Sequence, residues 1–425
     1  MAPNSAFFIS APPELLLEVA KQLPDLRTLH SLVLAAPSVY RLWGNYGAEL
    51  LQAVISNRTF TTPQVRDIIY LVVLLRSAEM PTWSLELFLE RFVRPTMLMN
   101  QPPQPQCAVP VPASCPFSVL ATASRIQELT QLCLKYYLAK LREVQPRLRR
   151  PVSPSFNYTQ PYGPYERMVP GWQRQTPDVA YDTPDMGPES WVEEQVVLRA
   201  FWRLQLFHEF KQASQHSRLV AWATEDVERI ASLELGEMFP CMHPNMTQYH
   251  ELICVREYLE LSNGSDRLAG RNLVGERSLK AELLPIPKEA WFLVSARGLI
   301  RPLHYVPDDL LQRGMIHQCH SVLQSDESPI KGVSFAVFRR SGFAIWDGHR
   351  LAALGLGDRP LERGQKYVPI PGPWKYWYSW RSLLDAEEIA EVERRLYVNE
   401  DKDTRRARLE YERLYDMHKA AGTLG

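Results

Sequence analysis

The sequence predicts a mainly α-helical protein with a small α+β part towards its C-terminus. Two observations support this prediction. Apolar residues recur at helical spacing in most of the longer segments. The 34 prolines are concentrated between these segments, where proline begins or ends helices. With 425 residues, 45% of them hydrophobic, the chain is long enough for two or three domains with their own cores.

The composition argues against several classes of partner and location. The 48 basic and 48 acidic residues balance, so we expect attraction neither to nucleic acid nor to a membrane. The apolar run at residues 68–75 is far shorter than the roughly 20 residues that span a bilayer. The six cysteines are scattered and no secretion signal is evident, so we expect an intracellular protein of the cytoplasm or nucleus.

The N-terminal segment, residues 8–50, predicts a module of three short helices. Ser10 is placed to cap the first helix, whose first turn tolerates proline. Pro24 ends that helix and Asp25 is placed to cap the second. Pro37 is suited to begin the third.

This module carries more leucine than so small a unit can bury. A core of about 40 residues is marginal. Each leucine side chain that is removed from water contributes about 1.5–3 kcal/mol. The surplus therefore favours a docking module whose apolar residues are covered by a partner.

The pattern Pro12-x-Glu14-Leu15-Leu16…Val19…Leu23…Leu26…Leu29 resembles the F-box, the adaptor-binding motif of Skp–cullin–F-box ubiquitin ligases. Ala11 stands where that family usually has leucine. The resemblance implies a partner, the Skp adaptor of the cullin ligase. It also implies contact residues for that adaptor, namely Pro12, Glu14, Leu15, Leu16, Val19, Leu23, Leu26 and Leu29.

Three further segments resemble filamentous-fungal F-box proteins of unassigned activity. They are Ala36-Pro37-Ser38-Val39-Tyr40-Arg41-Leu42, residues 191–262, and the segment from Gly342 to Leu351. None of these resemblances implies an activity.

A helical segment, residues 62–143, is predicted to follow the module. Its helices are expected at 62–76, 84–93 and 118–143, with a proline-rich loop at 101–116 that cannot be helical. Residues 144–190 are rich in Pro, Tyr, Gly and Ser, which predicts an extended or partly ordered linker, or a segment that wraps over the body.

A helical body is predicted at residues 191–262. Its first helix, 191–213, has large apolar residues on more than one face, which is typical of a helix buried between neighbours. Glu193 and Glu194 lie in its first turn, where the helix dipole favours them. Two more helices are expected at 224–235 and 247–261.

The C-terminal region, residues 263–425, is predicted to be mixed α+β. The pattern of residues 333–338 and 343–346 predicts two strands of a β-hairpin. The aromatic run at 374–380 fits either a recognition surface or a packed lid. Charged helices are expected at 385–395 and 404–418.

No residue pattern predicts catalysis, a cofactor or a metal. The nearest to a zinc site is a group of cysteines and histidines without a Cys-x-x-Cys pair, at Cys241, His243, His250, Cys254 and residues 317–320. Hydrolase and phosphate-binding signatures are absent from the sequence.

The sequence therefore predicts a non-enzymatic F-box-type adaptor that presents an unknown client to the ligase. The alternative is an intracellular scaffold protein whose F-box-like helices pack on its own body. Exposure of Leu15, Leu16, Val19 and Leu29 favours docking, whereas their coverage by residues 62–93 favours the scaffold.

Overall fold

The computed structural model describes residues 11–56, 61–93, 109–144, 147–148, 179–180, 187–239, 247–264, 323, 330–356, 380–398 and 402–421. These residues are mainly helical, as predicted, and fall into two compact units. One lies within 1–136 and 189–309, the other within 137–188 and 310–425. No helix in the described part is long and apolar enough to cross a membrane.

The first unit begins with three helices: α1 (Pro13–Lys21), α2 (Leu26–Ala35) and α3 (Pro37–Ile55). The third has 19 residues, is longer than predicted, and continues beyond residue 50, where the predicted module ends. Asp25 caps α2, its Oδ1 accepting the N–H of Thr28 at 2.6 Å. Ser10, the predicted cap of α1, lies outside the described residues, and Pro12 occupies the N-cap position. Both α1 and α2 pack against α3.

The next helices are α4 (Pro63–Ser77), α5 (Leu85–Phe88), which continues as a π-helical turn (Leu89–Val93), and α6 (Phe117–Glu143). Thr62 and Ser84 cap α4 and α5 through their hydroxyl groups. Residues 109–116 are not helical, which confirms the proline-rich loop where it is described. Residues 101–108 of that predicted loop lie outside the described residues.

The body contains α7 (Trp191–Gln215), α8 (Thr224–Ser232), α9 (Leu235–Met238) and α10 (Thr247–Gly264). A capping box begins α7, because Ser190 Oγ accepts the N–H of Glu193 and Glu193 Oε2 accepts the N–H of Ser190. Helix α7 contacts α4, α8 and α10 and is buried along most of its length. The prediction of a helix enclosed by its neighbours is confirmed.

Charged side chains of α7 are buried in its interface with α4 and α10. The Arg199 Nη2 donates to both carboxylate oxygens of Glu251 at 2.8 Å, and its Nη1 donates to Gln64 Oε1 at 2.9 Å. Arg203 Nη2 donates to Gln248 Oε1 at 2.7 Å. Burial and the neighbouring Arg199 lower the pKa of Arg203 to about 9. These hydrogen bonds therefore join side chains of three helices inside a buried interface.

A second polar contact joins the other end of α4 to α7. Arg76 Nε donates to Glu209 Oε1 at 3.0 Å, and Gln205 Nε2 donates to the same oxygen at 2.6 Å. Arg76 Nη2 also donates to Thr122 Oγ1 of α6 at 2.9 Å. One guanidinium therefore links three helices.

The second unit contains α11 (Ala336–Arg339), α12 (Gly348–Ala353), α13 (Ala386–Val398) and α14 (Lys402–Ala420). Two short antiparallel strands, β1 (Arg147–Leu148) and β2 (Val179–Ala180), pair within the predicted linker. The last two helices confirm the charged helices that the sequence predicts.

The predicted β-hairpin is wrong. Residues 336–339 are helical and 341–345 form consecutive turns, in which Gly342 has a φ of 77°. The reason is aromatic packing, since Phe338 and Phe343 both contact the ring of buried Trp380, with centroids at 5.0 and 5.3 Å.

We predict that Ala78→Gly stabilises the protein. Ala78 ends α4 with a φ of 57°, a left-handed conformation that strains every residue with a Cβ. The expected gain in the free energy of unfolding is about 1 kcal/mol, measured by urea denaturation. The control is Ala121→Gly on the exposed face of α6, which should lose about 1 kcal/mol. Equal effects of both changes would contradict the prediction.

We predict that Glu251→Leu destabilises the first unit by about 3–5 kcal/mol, because it leaves the buried guanidinium of Arg199 without its carboxylate. Arg199→Met should also be destabilising. The double variant should lose less than the sum of the single variants, as a double-mutant cycle in urea would show. Additive losses would mean that the pair does not interact.

Candidate docking surface

Helix α1 has one buried and one exposed apolar face. Leu16 is 2% exposed and Ala20 is fully buried, one turn apart. Leu15 is 53% exposed and Val19 37% exposed, also one turn apart. Adjacent leucines in the same helix therefore point to different surroundings, one inward and one to solvent.

The other predicted contact residues also include both exposed and buried side chains. Pro12 and Glu14 are exposed at the start of α1, where the helix dipole favours the carboxylate of Glu14. Leu23 is half-buried beyond the end of the helix. Leu26 and Leu29 of α2 are buried. The structure thus leaves four predicted residues exposed on or next to α1: Pro12, Glu14, Leu15 and Val19.

Helix α1 contacts α3 through the charged side chain of Lys21 as well as through its buried apolar face. Lys21 Nζ lies 2.9 Å from Glu18 Oε1 and 2.8 Å from Glu49 Oε1. The hydrogen bonds to these two carboxylates raise the pKa of Lys21 above its ordinary value. The lysine is therefore charged at neutral pH and joins the two helices.

The module also touches the segment that precedes α6. Trp43 Nε1 donates to the carbonyl oxygen of Cys115 at 3.1 Å. The ring of Phe117 lies 5.4 Å from His30 and 5.7 Å from Tyr40, centroid to centroid. Partial burial lowers the pKa of His30 below its ordinary value, which favours the neutral ring. These contacts involve α2 and α3, and not the exposed face of α1.

Three apolar residues of the module are exposed although they were not among the predicted contacts. Leu34 is 63% exposed on α2, and Tyr40 and Tyr46 are exposed on α3. Leu34 lies outside the buried stripe of α2, which consists of Leu26, Leu29 and Val33. Because Leu34 follows Leu26 by eight residues, its spacing is typical of the buried stripe, and no sequence signal indicates its exposure.

The cysteine and histidine group is only partly described. His250 and Cys254 lie one turn apart on α10, and Cys254 is buried. Cys241, His243 and residues 317–320 lie outside the described residues. Within the described ranges, no group of three or more histidine, cysteine and acidic residues could hold a metal ion.

The comparisons with known proteins found no matching family model, no matching curated protein and no matching solved structure. The F-box interpretation therefore rests on the residue pattern of the module and on the geometry of its surface.

We predict opposite roles for Leu15 and Leu16 in the stability of the module. Leu16→Ala should cost about 2–5 kcal/mol, because it leaves a cavity between α1 and α3. Leu15→Ala should change stability by no more than about 0.5 kcal/mol, because the side chain is mostly exposed. Hydrogen exchange of the α1 amides measures both effects. Similar protection in the two variants would contradict the two-faced helix.

Proposed function

We propose that this protein is an F-box-type adaptor whose N-terminal module binds the Skp adaptor of a cullin ubiquitin ligase. In this role the protein itself is not an enzyme. It raises the local concentration of a client near the catalytic subunits of the ligase. The client and its binding site are separate from the module.

The observation that carries the proposal is the exposed face of α1. Leu15 and Val19 are exposed one turn apart, Pro12 and Glu14 are exposed at the start of the same helix, and all four belong to the pattern that resembles the F-box. Covering one leucine contributes about 1.5–3 kcal/mol, so a partner gains by contacting this face.

The geometry divides the eight residues of the pattern into two roles within the proposal. Pro12, Glu14, Leu15 and Val19 contact the adaptor directly. The buried leucines of α1 and α2 position that face by packing against α3. The half-buried Leu23 follows the end of α1 and has a part in both roles.

A specific observation also favours the alternative, an intracellular scaffold. Trp43 donates a hydrogen bond to Cys115, and Phe117 contacts His30 and Tyr40, so part of the module packs on the same chain. Of the four residues whose exposure distinguishes the two functions, Leu15 and Val19 are exposed and Leu16 and Leu29 are buried, so docking is supported by the outer face of α1 alone.

The test is binding of the purified full-length protein to the purified Skp adaptor. The double variant Leu15→Ala/Val19→Ala should weaken binding at least tenfold, since interface truncations of this kind cost about 1 kcal/mol or more each. Both side chains are exposed, so the variant should keep the stability of the parent protein.

The matched control is Leu34→Ala/Tyr46→Ala, which removes two exposed apolar side chains elsewhere on the module. It should bind the adaptor as the parent protein does. Retained binding by Leu15→Ala/Val19→Ala would contradict the contact assignment. Failure of the parent protein to bind would favour the scaffold.

A further inference from the structure

A short segment at the start of α6 contacts both the end of α4 and the N-terminal module. We call residues 113–117 the strap. It comprises the last four residues of the proline-rich loop and the first residue of α6. At one end it contacts the C-terminal end of α4, and at the other it contacts α2 and α3.

One carboxylate holds the strap at the end of α4. Glu79 Oε2 accepts the N–H of Ala113 at 2.8 Å, and Glu79 Oε1 accepts the hydroxyl of Ser114 at 2.5 Å. The left-handed conformation of Ala78 places Glu79 there, and the N–H of Glu79 donates to the carbonyl of Leu74 at 3.0 Å. Both hydrogen bonds are exposed to solvent, so they can open without disturbing the core.

The other end of the strap holds the module. The carbonyl of Cys115 accepts the indole N–H of Trp43, and the Phe117 ring contacts His30 of α2 and Tyr40 of α3. The Trp43 ring is itself buried against Gly47, where a Cβ would lie 3.0 Å from the indole. The indole is therefore rigidly placed, and the position of the strap determines whether its N–H has an acceptor.

A separate contact limits how far the strap can open. Arg76 donates to Thr122 Oγ1 at 2.9 Å and to Ser118 Oγ at 3.3 Å, both in the first two turns of α6. This guanidinium also pairs with the buried Glu209. Loss of the Glu79 contacts therefore leaves α6 attached to α4.

We propose that the strap is a releasable positioning element for the module, and that a negative charge at Ser114 opens it at Glu79. The hydroxyl of Ser114 donates to a carboxylate, and an anionic group in its place has no proton to donate and repels Glu79. Release at Glu79 removes the support of the strap from Trp43 without unfolding the module. The effect of release on adaptor binding rests on the proposed function, but release itself does not.

The experiment measures amide and indole hydrogen exchange by NMR in the full-length protein, without any adaptor. In Ser114→Asp, the Ala113 amide and the Trp43 indole N–H should exchange at least tenfold faster than in the parent protein. Glu79→Ala should do the same, and Ser114→Ala, which loses one hydrogen bond and adds no charge, should show a smaller effect. Amides of α3 and α6 should keep their protection in all three variants, which shows that the fold is intact.

The matched control is Ser118→Asp, which adds the same charge four residues away, next to Arg76 and not to Glu79. It should leave the Ala113 amide and the Trp43 indole protected. The double variant Glu79→Lys/Ser114→Asp pairs opposite charges and should restore protection relative to Ser114→Asp alone. Unchanged exchange in both Ser114→Asp and Glu79→Ala, or equal effects of Ser114→Asp and Ser118→Asp, would overturn the proposal.

A second measurement tests whether opening of the strap affects adaptor binding. Adaptor binding by Ser114→Asp is compared with that by the parent protein. If exchange accelerates and binding changes, the strap controls presentation of the module. If the parent protein does not bind the adaptor, the proposed function fails, and the exchange result still decides whether the strap opens.

Discussion

The architecture of the first unit depends on partners inside the protein for the buried charged side chains of α7. A helix buried along its length cannot leave a guanidinium or a carboxylate unpaired, because the desolvation penalty is several kcal/mol per ion. Arg199 meets Glu251 on α10 and Gln64 on α4. Glu209 meets Arg76 on α4. Hydrophobic burial alone would tolerate many rotations of α7, whereas these pairs are satisfied in one arrangement.

Most helices were predictable because their signals are local, but the beginning of α1 was not, since its N-cap residue is Pro12 and not Ser10. Ser190, Asp25 and Thr62 act as caps at the positions that the sequence indicates. Periodicity also identified α7 as an enclosed helix. The β-hairpin predicted at residues 333–346 was wrong for a tertiary reason. Phe338 and Phe343 both pack against Trp380, which lies more than thirty positions further along the chain. A pattern of alternating apolar residues does not reveal such a partner.

The candidate surface was predictable as a segment but not residue by residue. The sequence identifies Leu15 and Leu16 as apolar neighbours in one helix, and nothing local decides which of them faces α3. That choice depends on where α3 lies, and hence on Pro37 and on the turn that precedes it. The structure makes Leu16 a core residue and leaves Leu15 in solvent. The strap was not predictable at all, because Glu79 and Ser114 come together only after α4 and α6 have packed.

The polar pairing of α4 has a consequence for biosynthesis. Arg76 can pair with Glu209 only after another 133 residues of the chain have been synthesised. The middle of helix α4 is almost entirely apolar. At the usual pace of translation, about 5–20 residues per second, α4 leaves the ribosome many seconds before α7 is available to cover it. Residues 65–75 therefore gain their main packing partner, α7, only late in synthesis.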